Sequence, residues 1–266
     1  MSAADAPLVH LIGAGLGDPD LLTVKALRLL QGAEVVVYDR LISPAILELV
    51  PPGATRIYVG KASGRHTLPQ DEINALLVKL ARSGHRVVRL KGGDPFIFGR
   101  GSEEAEHLAR QGVAFEVVPG VTAASGCAAG FGIPLTHRGL ASGVRFVTGH
   151  CRDGQTLALN WASLADPDTT LVIYMGLASL PTISHRLIEA GLPPDTPAAA
   201  IAGGTMPRQT LCRGTLADLP ARAVARDLKA PVLIVVGQVV GLAGMLDTLS
   251  WEPEEAIRED RLACHV

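Results

Sequence analysis

The chain carries several short, uninterrupted apolar runs, among them EVVVYD at 34–39 and RVVRL at 86–90. Runs of this length without polar alternation suit strands covered on both faces. Segments at 20–30, 70–81 and 102–111 repeat their apolar residues at helical spacing. The first half therefore predicts strands at 8–12, 34–38, 56–59, 86–90 and 115–118, with helices at 20–30, 44–50, 70–81 and 102–111 between them. Strand and helix in alternation imply a mostly parallel sheet with right-handed crossovers. After 118 the rhythm changes. A Gly, Ala and Pro-rich stretch predicts a small-residue helix at 122–130. Strands follow at 144–148, 170–175, 198–202, 209–215 and 232–236, with a helix at 180–190. Few helices separate the last strands, so the second sheet is expected to be partly antiparallel. The expectation is an α/β chain of two α/β domains: residues 8–119, residues 122–243 with a mixed sheet, and a charged tail at 244–266.

Composition narrows the class. The 266 residues are 48% hydrophobic and only 4% aromatic, so the core is aliphatic. A net charge of -2 gives no general basic field, which argues against sequence-independent nucleic-acid binding. Cys127, Cys151, Cys212 and Cys264 are far apart, with no zinc spacing, so reduced thiols and no metal site are expected. The N-terminus has no positive n-region followed by an apolar run, and no segment reaches the roughly 18 apolar residues of a membrane span. A cytoplasmic protein without a membrane segment is the expectation.

Two loops carry candidate chemistry. LIGAGLGDPDLLT, at 11–23, brings Gly13, Gly15 and Gly17 to the end of a strand. It approximates a dinucleotide fingerprint, but Asp18 stands where the third glycine belongs and would repel a phosphate. Asp18 and Pro19 instead read as the cap and first residue of a helix. LKGGDPFIFGRGSEE, at 90–104, follows another strand end, where parallel sheets bind ligands. Its paired glycines allow a ligand to lie against backbone. Each loop alone is also compatible with a plain structural turn.

Together with VPGVTA and PLTHRG, in this order and spacing, the two loops resemble those of the tetrapyrrole methylases, over about residues 8–243. Within that family the resemblance is to members acting on uroporphyrinogen III. It implies S-adenosylmethionine as cofactor, held between two α/β domains and released as S-adenosylhomocysteine. This cofactor has no phosphate, so Asp18 presents no obstacle. By motif, the resemblance places Leu16, Gly92, Gly93, Asp94, Ile97, Thr122, Ala123, Met175, Gly204 and Ala230 at the cofactor. The family pattern usually has proline where this chain has Leu16, which leaves the loop less rigid.

The implied reaction adds two methyl groups in turn, at C2 and C7 of uroporphyrinogen III, giving precorrin-2 by way of precorrin-1. The macrocycle is rich in carboxylates, and arginine pairs with these bidentately. Arg100, Glu103 and Arg138 are the implied substrate contacts, with Arg65 and His66 as further cationic candidates. Asp39 and Lys61 are the implied acid–base residues beside Arg100. The resemblance also implies a homodimer, for which the small-residue segment near Gly130 is suited. Some relatives carry a further dehydrogenase and chelatase module, for which a chain of this length has no room. Methyl transfer alone is therefore expected.

Overall fold

A computed structural model describes residues 8–60, 68–150 and 157–246. The first half builds a sheet from β1 (Leu8–Gly13), β2 (Val35–Tyr38), β3 (Thr55–Tyr58), β4 (Val87–Lys91) and β5 (Ala114–Val118). The order is β3-β2-β4-β1-β5 and every pair is parallel. Strand side chains alternate between faces, so neighbours enter different cores. Leu11 packs with Leu77 and Leu108, beneath α3 (Gln70–Arg82) and α4 (Gly101–Arg110). Ile12 packs with Leu30 and Ile46, beneath α1 (Val24–Gln31) and α2 (Pro44–Glu48). Covering both faces is what gives these strands their unbroken apolar runs.

The helix expected at 20–30 is two elements. Asp18 caps a short 3-10 turn, Pro19–Leu21, its Oδ1 accepting from the Asp20 N–H at 2.9 Å. Leu22 is then extended, and Thr23 starts α1 afresh by accepting from the Ala26 N–H at 3.2 Å. Two capping residues five apart make the break. Ser43 does similar work for α2: its Oγ accepts from Ile46 N–H and donates to the Gly17 carbonyl at 2.7 Å. The start of α2 is thereby tied to the first glycine loop.

The second half begins with α5 (Ala123–Ala129). Its sheet comprises β6 (Gly143–Thr148), β7 (Thr169–Tyr174), β8 (Pro197–Ala202), β9 (Thr210–Thr215) and β10 (Val232–Val236), in the order β6-β7-β10-β8-β9. Only β6 with β7 is parallel; β10 runs antiparallel to β7 and β8, and β8 to β9. α7 (Leu180–Glu189) and α8 (Leu219–Ala225) cover one face, and α5 covers the other. The sequence reading missed α8 and the single turn α6 (Trp161–Leu164). α8 is seven residues with Leu219 and Ala223 buried, too short a stripe to stand out. The two-sheet α/β architecture is otherwise as expected. No described helix is long and apolar enough to cross a membrane.

Candidate active site

Loops leaving the C-terminal ends of β1, β4 and β5 meet backbone against backbone. A Cβ on Gly13 would lie 2.5 Å from the Gly120 nitrogen and 2.7 Å from the Gly93 oxygen; one on Gly120 would lie 2.4 Å from that oxygen. Gly15 and Gly93 exchange N–H···O bonds of 3.2 and 2.6 Å, both at positive φ. Gly13 and Gly15 therefore serve close packing and pairing with the second loop, while Gly17 packs against Met206 and Ser43. Asp94 completes the lock. Its Oδ1 accepts from Phe96 N–H at 2.8 Å and its Oδ2 from Gly120 N–H at 3.2 Å. A Cβ on Gly93 would meet nothing within 4 Å, so the loop turns bare backbone toward open space.

The opposite wall is the end of β7. Tyr174 joins its hydroxyl to Thr122 Oγ1 at 2.6 Å and accepts from the Ala124 N–H at 3.0 Å. The Phe98 ring lies 4.8 Å from the Tyr174 ring and Phe146 lies 5.8 Å from it. Ile97 packs into the same cluster, beside Leu16 and Ala123. Phe98, Arg100 and Met175 all adopt left-handed backbone. Such non-glycine residues cost about 1–3 kcal/mol each and gather at functional sites. Phe98 and Met175 keep 39% and 51% of their surface exposed, apolar area that the core leaves unused.

Tyr174 was not singled out from the sequence. A tyrosine closing an all-apolar strand was its signal, since a buried hydroxyl requires a partner. Burial pushes its pKa up. Tyr174→Phe keeps the ring and strands Thr122 and the Ala124 N–H. The expected result is a loss of about 1–2 kcal/mol in urea denaturation and a several-fold weaker S-adenosylhomocysteine affinity by calorimetry.

Leu16 sits on α5, where a Cβ added at Gly126 would come within 2.3 Å of its Cδ1. Gly204 is buried against Cys127 in the same way: a Cβ added there would lie 2.3 Å from the sulfur. Ala230 is exposed just ahead of β10. Burial raises the Cys127 pKa to about 12. Because the thiolate is the reactive form, Cys127 should stay unmodified by iodoacetamide at pH 8 in the native protein and react after denaturation. Peptide mass mapping checks this.

The charged candidates fall in two groups. Asp39 follows β2, its Oδ1 accepting from Leu41 N–H at 3.0 Å while its Oδ2 lies 3.3 Å from an Arg89 guanidinium nitrogen. Arg100 grips Glu103 through two bonds, 2.8 Å from Nε and 2.6 Å from a terminal nitrogen, with both side chains about half exposed. Arg138 is exposed in a turn closed by His137 and Ala141, which leads into the start of β6. β6 then runs about 16 Å before Thr148 draws level with Tyr174. Lys61, Arg65 and His66 lie outside the described residues.

Two α/β sheets, with glycine loops packed at the strand ends of the first against the end of β7 in the second, define the class of fold. The description Tetrapyrrole (Corrin/Porphyrin) Methylases matches residues 8–220, and the chain belongs to that family. A siroheme synthase of Azotobacter vinelandii is 60% identical over 243 residues, 91% of this chain and 52% of that protein. The chain thus spans about half the length of the curated relatives it matches. A uroporphyrin-III C-methyltransferase structure from Thermus thermophilus aligns with TM-score 0.75 at 44% identity, covering 91% of this chain and 96% of that one. A structure of the enzyme from the same organism, complexed with S-adenosylhomocysteine, aligns with TM-score 0.74 at 41% identity, covering 87% and 92%.

Proposed function

We propose that the chain is an S-adenosylmethionine-dependent C-methyltransferase that converts uroporphyrinogen III to precorrin-2 by methylation at C2 and then C7. The observation that carries this is the open backbone at Gly93, between Gly92 and Asp94, in a loop whose Phe98 ring lies 4.8 Å from Tyr174, with Phe98 and the next residue of that strand end, Met175, both exposed. Such a cleft fits a ligand with one flat apolar end and a polar, phosphate-free remainder. The apolar side chains suit the adenine, while the backbone groups suit the ribose and amino-acid tail. Leu16, Ile97, Thr122, Ala123, Gly204 and Ala230 complete the proposed cofactor site, with Asp94 holding its loop in shape.

The bound cofactor supplies an electrophilic methyl group on sulfur. The chain's task is to align a nucleophilic pyrrole carbon with the S–CH3 bond, where positioning supplies much of the rate. Arg100, aimed by Glu103, is the proposed clamp on a substrate carboxylate, with Arg138 a second. As the new C–C bond forms and the S–C bond breaks, the macrocycle becomes cationic and must lose a proton. Asp39 and Lys61 are the proposed acid–base residues.

We place the unit boundary between 119 and 122 and the protein in the cytoplasm as a homodimer. The exposed small residues Ser125, Ala129 and Gly130 support a contact there. Sedimentation equilibrium with Ala129→Arg tests it: a dimer for the parent and a monomer for the variant are expected. The cofactor reading is tested by titrating S-adenosylhomocysteine and NADH separately into the protein. Heat of binding is expected from the first alone, and binding of NADH alone would point to an oxidoreductase.

A further inference from the structure

Four ionisable side chains sit under the candidate site. Arg89 and Lys91, two apart on β4, project from the same face. Glu104, with no exposed surface, meets them from α4. Its Oε1 accepts from Lys91 Nζ at 2.8 Å, from Arg89 Nε at 3.1 Å and from Gln70 Nε2 at 3.2 Å. Every Arg89 nitrogen has a partner: Nε on Glu104, one terminal nitrogen on the Leu90 carbonyl at 2.9 Å, and the other 3.3 Å from Asp39. Glu104 thus reaches Asp39 through one guanidinium. Asp39 is partly exposed, at 26%, so the chain of contacts runs from the core to the surface at the end of β2. Burial and the neighbouring Arg89 push the Lys91 pKa down, which Glu104 opposes.

The neighbouring residue gives this geometry its meaning. Glu103 and Glu104 lie in the first turn of α4, where the helix dipole favours carboxylates. Successive helical residues point about 100° apart. Glu103 turns outward to Arg100 and Glu104 inward to Arg89. One helical turn therefore contacts both the proposed substrate clamp and the arginine beside Asp39.

We propose that Glu104 is a positioning residue that acts through Arg89 on Asp39, a role that rests on the methyltransferase reading given above. Glu104 reaches no reacting atom itself. A buried pair of this kind is a poor stabiliser compared with apolar packing; here it holds the guanidinium that reaches Asp39. The four groups carry two charges of each sign, so removing Glu104 alone leaves two cations against one carboxylate and endangers folding.

The test uses a charge-balanced variant, Glu104→Gln with Lys91→Met, beside Asp39→Asn and the combination of all three. Calorimetry with S-adenosylhomocysteine reports an intact cleft, and is expected within about twofold of the parent. With saturating cofactor, kcat for methyl transfer is expected to fall about 10- to 100-fold with KM for S-adenosylmethionine unchanged, as for a group displaced by about an ångström. Adding Asp39→Asn should then lower kcat by no more than a further twofold or so, because the two act as one unit. Crystals of the charge-balanced variant should show the Asp39 side chain moved from its place beside Leu41. A parental kcat, a loss that multiplies in full with that of Asp39→Asn, or an unmoved Asp39 would overturn the proposal. Should the parent transfer no methyl group, the functional reading fails, and the position of Asp39 in the crystals decides this one.

Discussion

Replacing Gly120 by alanine is expected to lower stability by about 3 kcal/mol and to weaken S-adenosylhomocysteine binding at least about tenfold. The reason is steric. The new Cβ would stand 2.4 Å from the Gly93 oxygen and 2.7 Å from the Gly13 carbonyl carbon and oxygen. All of these are backbone atoms at the ends of β1 and β4, so no side chain can swing aside. Relief requires the three loops to separate, which breaks the Gly15–Gly93 bridge and the Asp94 to Gly120 bond. Gly53→Ala is the control. A Cβ there meets nothing within 4 Å, and a change within about 0.5 kcal/mol is expected. Urea denaturation of the two variants, with calorimetry on the folded fraction, measures both effects.

The second large effect falls on the proposed substrate clamp. Arg100→Ala is expected to reduce kcat/KM for uroporphyrinogen III about 100-fold, the equivalent of one charge-assisted bond of about 2–3 kcal/mol. Stability and S-adenosylhomocysteine affinity should barely change. The Arg100–Glu103 pair is half exposed, and such pairs contribute about 0–1 kcal/mol. Arg100→Lys should not restore the rate, because an ammonium loses the two-bond grip on Glu103 that aims the parent side chain. Steady-state kinetics with each substrate varied in turn separate this from a cofactor defect. A loss confined to KM for S-adenosylmethionine would move Arg100 to the other side of the cleft.

Much of the architecture was legible because the strands are covered on both faces. Val35, Val36 and Val37 form an unbroken apolar run for that reason, and all three are buried. The mixed second sheet was legible from the lack of long helices after 190. What sequence spacing hid was contact across the chain. Nothing in LIGAGLG announces that Gly13 must pass within touching distance of Gly120, more than a hundred residues on. The same holds for Glu104. In GRGSEE it looks like a twin of Glu103, and only the orientation of α4 makes one exposed and the other fully buried. Arg89 and Lys91 read as polar interruptions of a strand, yet each is buried because Glu104 is there to meet it.

The first loop shows what a partial motif match can stand for. Its glycines suggest a ligand turn, and in the fold Gly13 and Gly15 are packing residues that hold the neighbouring loop with Gly93 open to space. Asp18, which argued against phosphate, is occupied in capping the Pro19–Leu21 turn.

The central claim is that the cleft between the two sheets brings a methyl donor to a carboxylate-rich macrocycle. The most direct measurement supplies methyl-labelled S-adenosylmethionine and enzymatically made uroporphyrinogen III without oxygen, and follows the macrocycle by mass and the demethylated cofactor by chromatography. The account predicts two labelled methyl groups on each macrocycle, at C2 and C7, with one S-adenosylhomocysteine released for each. Protein that binds S-adenosylhomocysteine yet leaves uroporphyrinogen III unlabelled would contradict it.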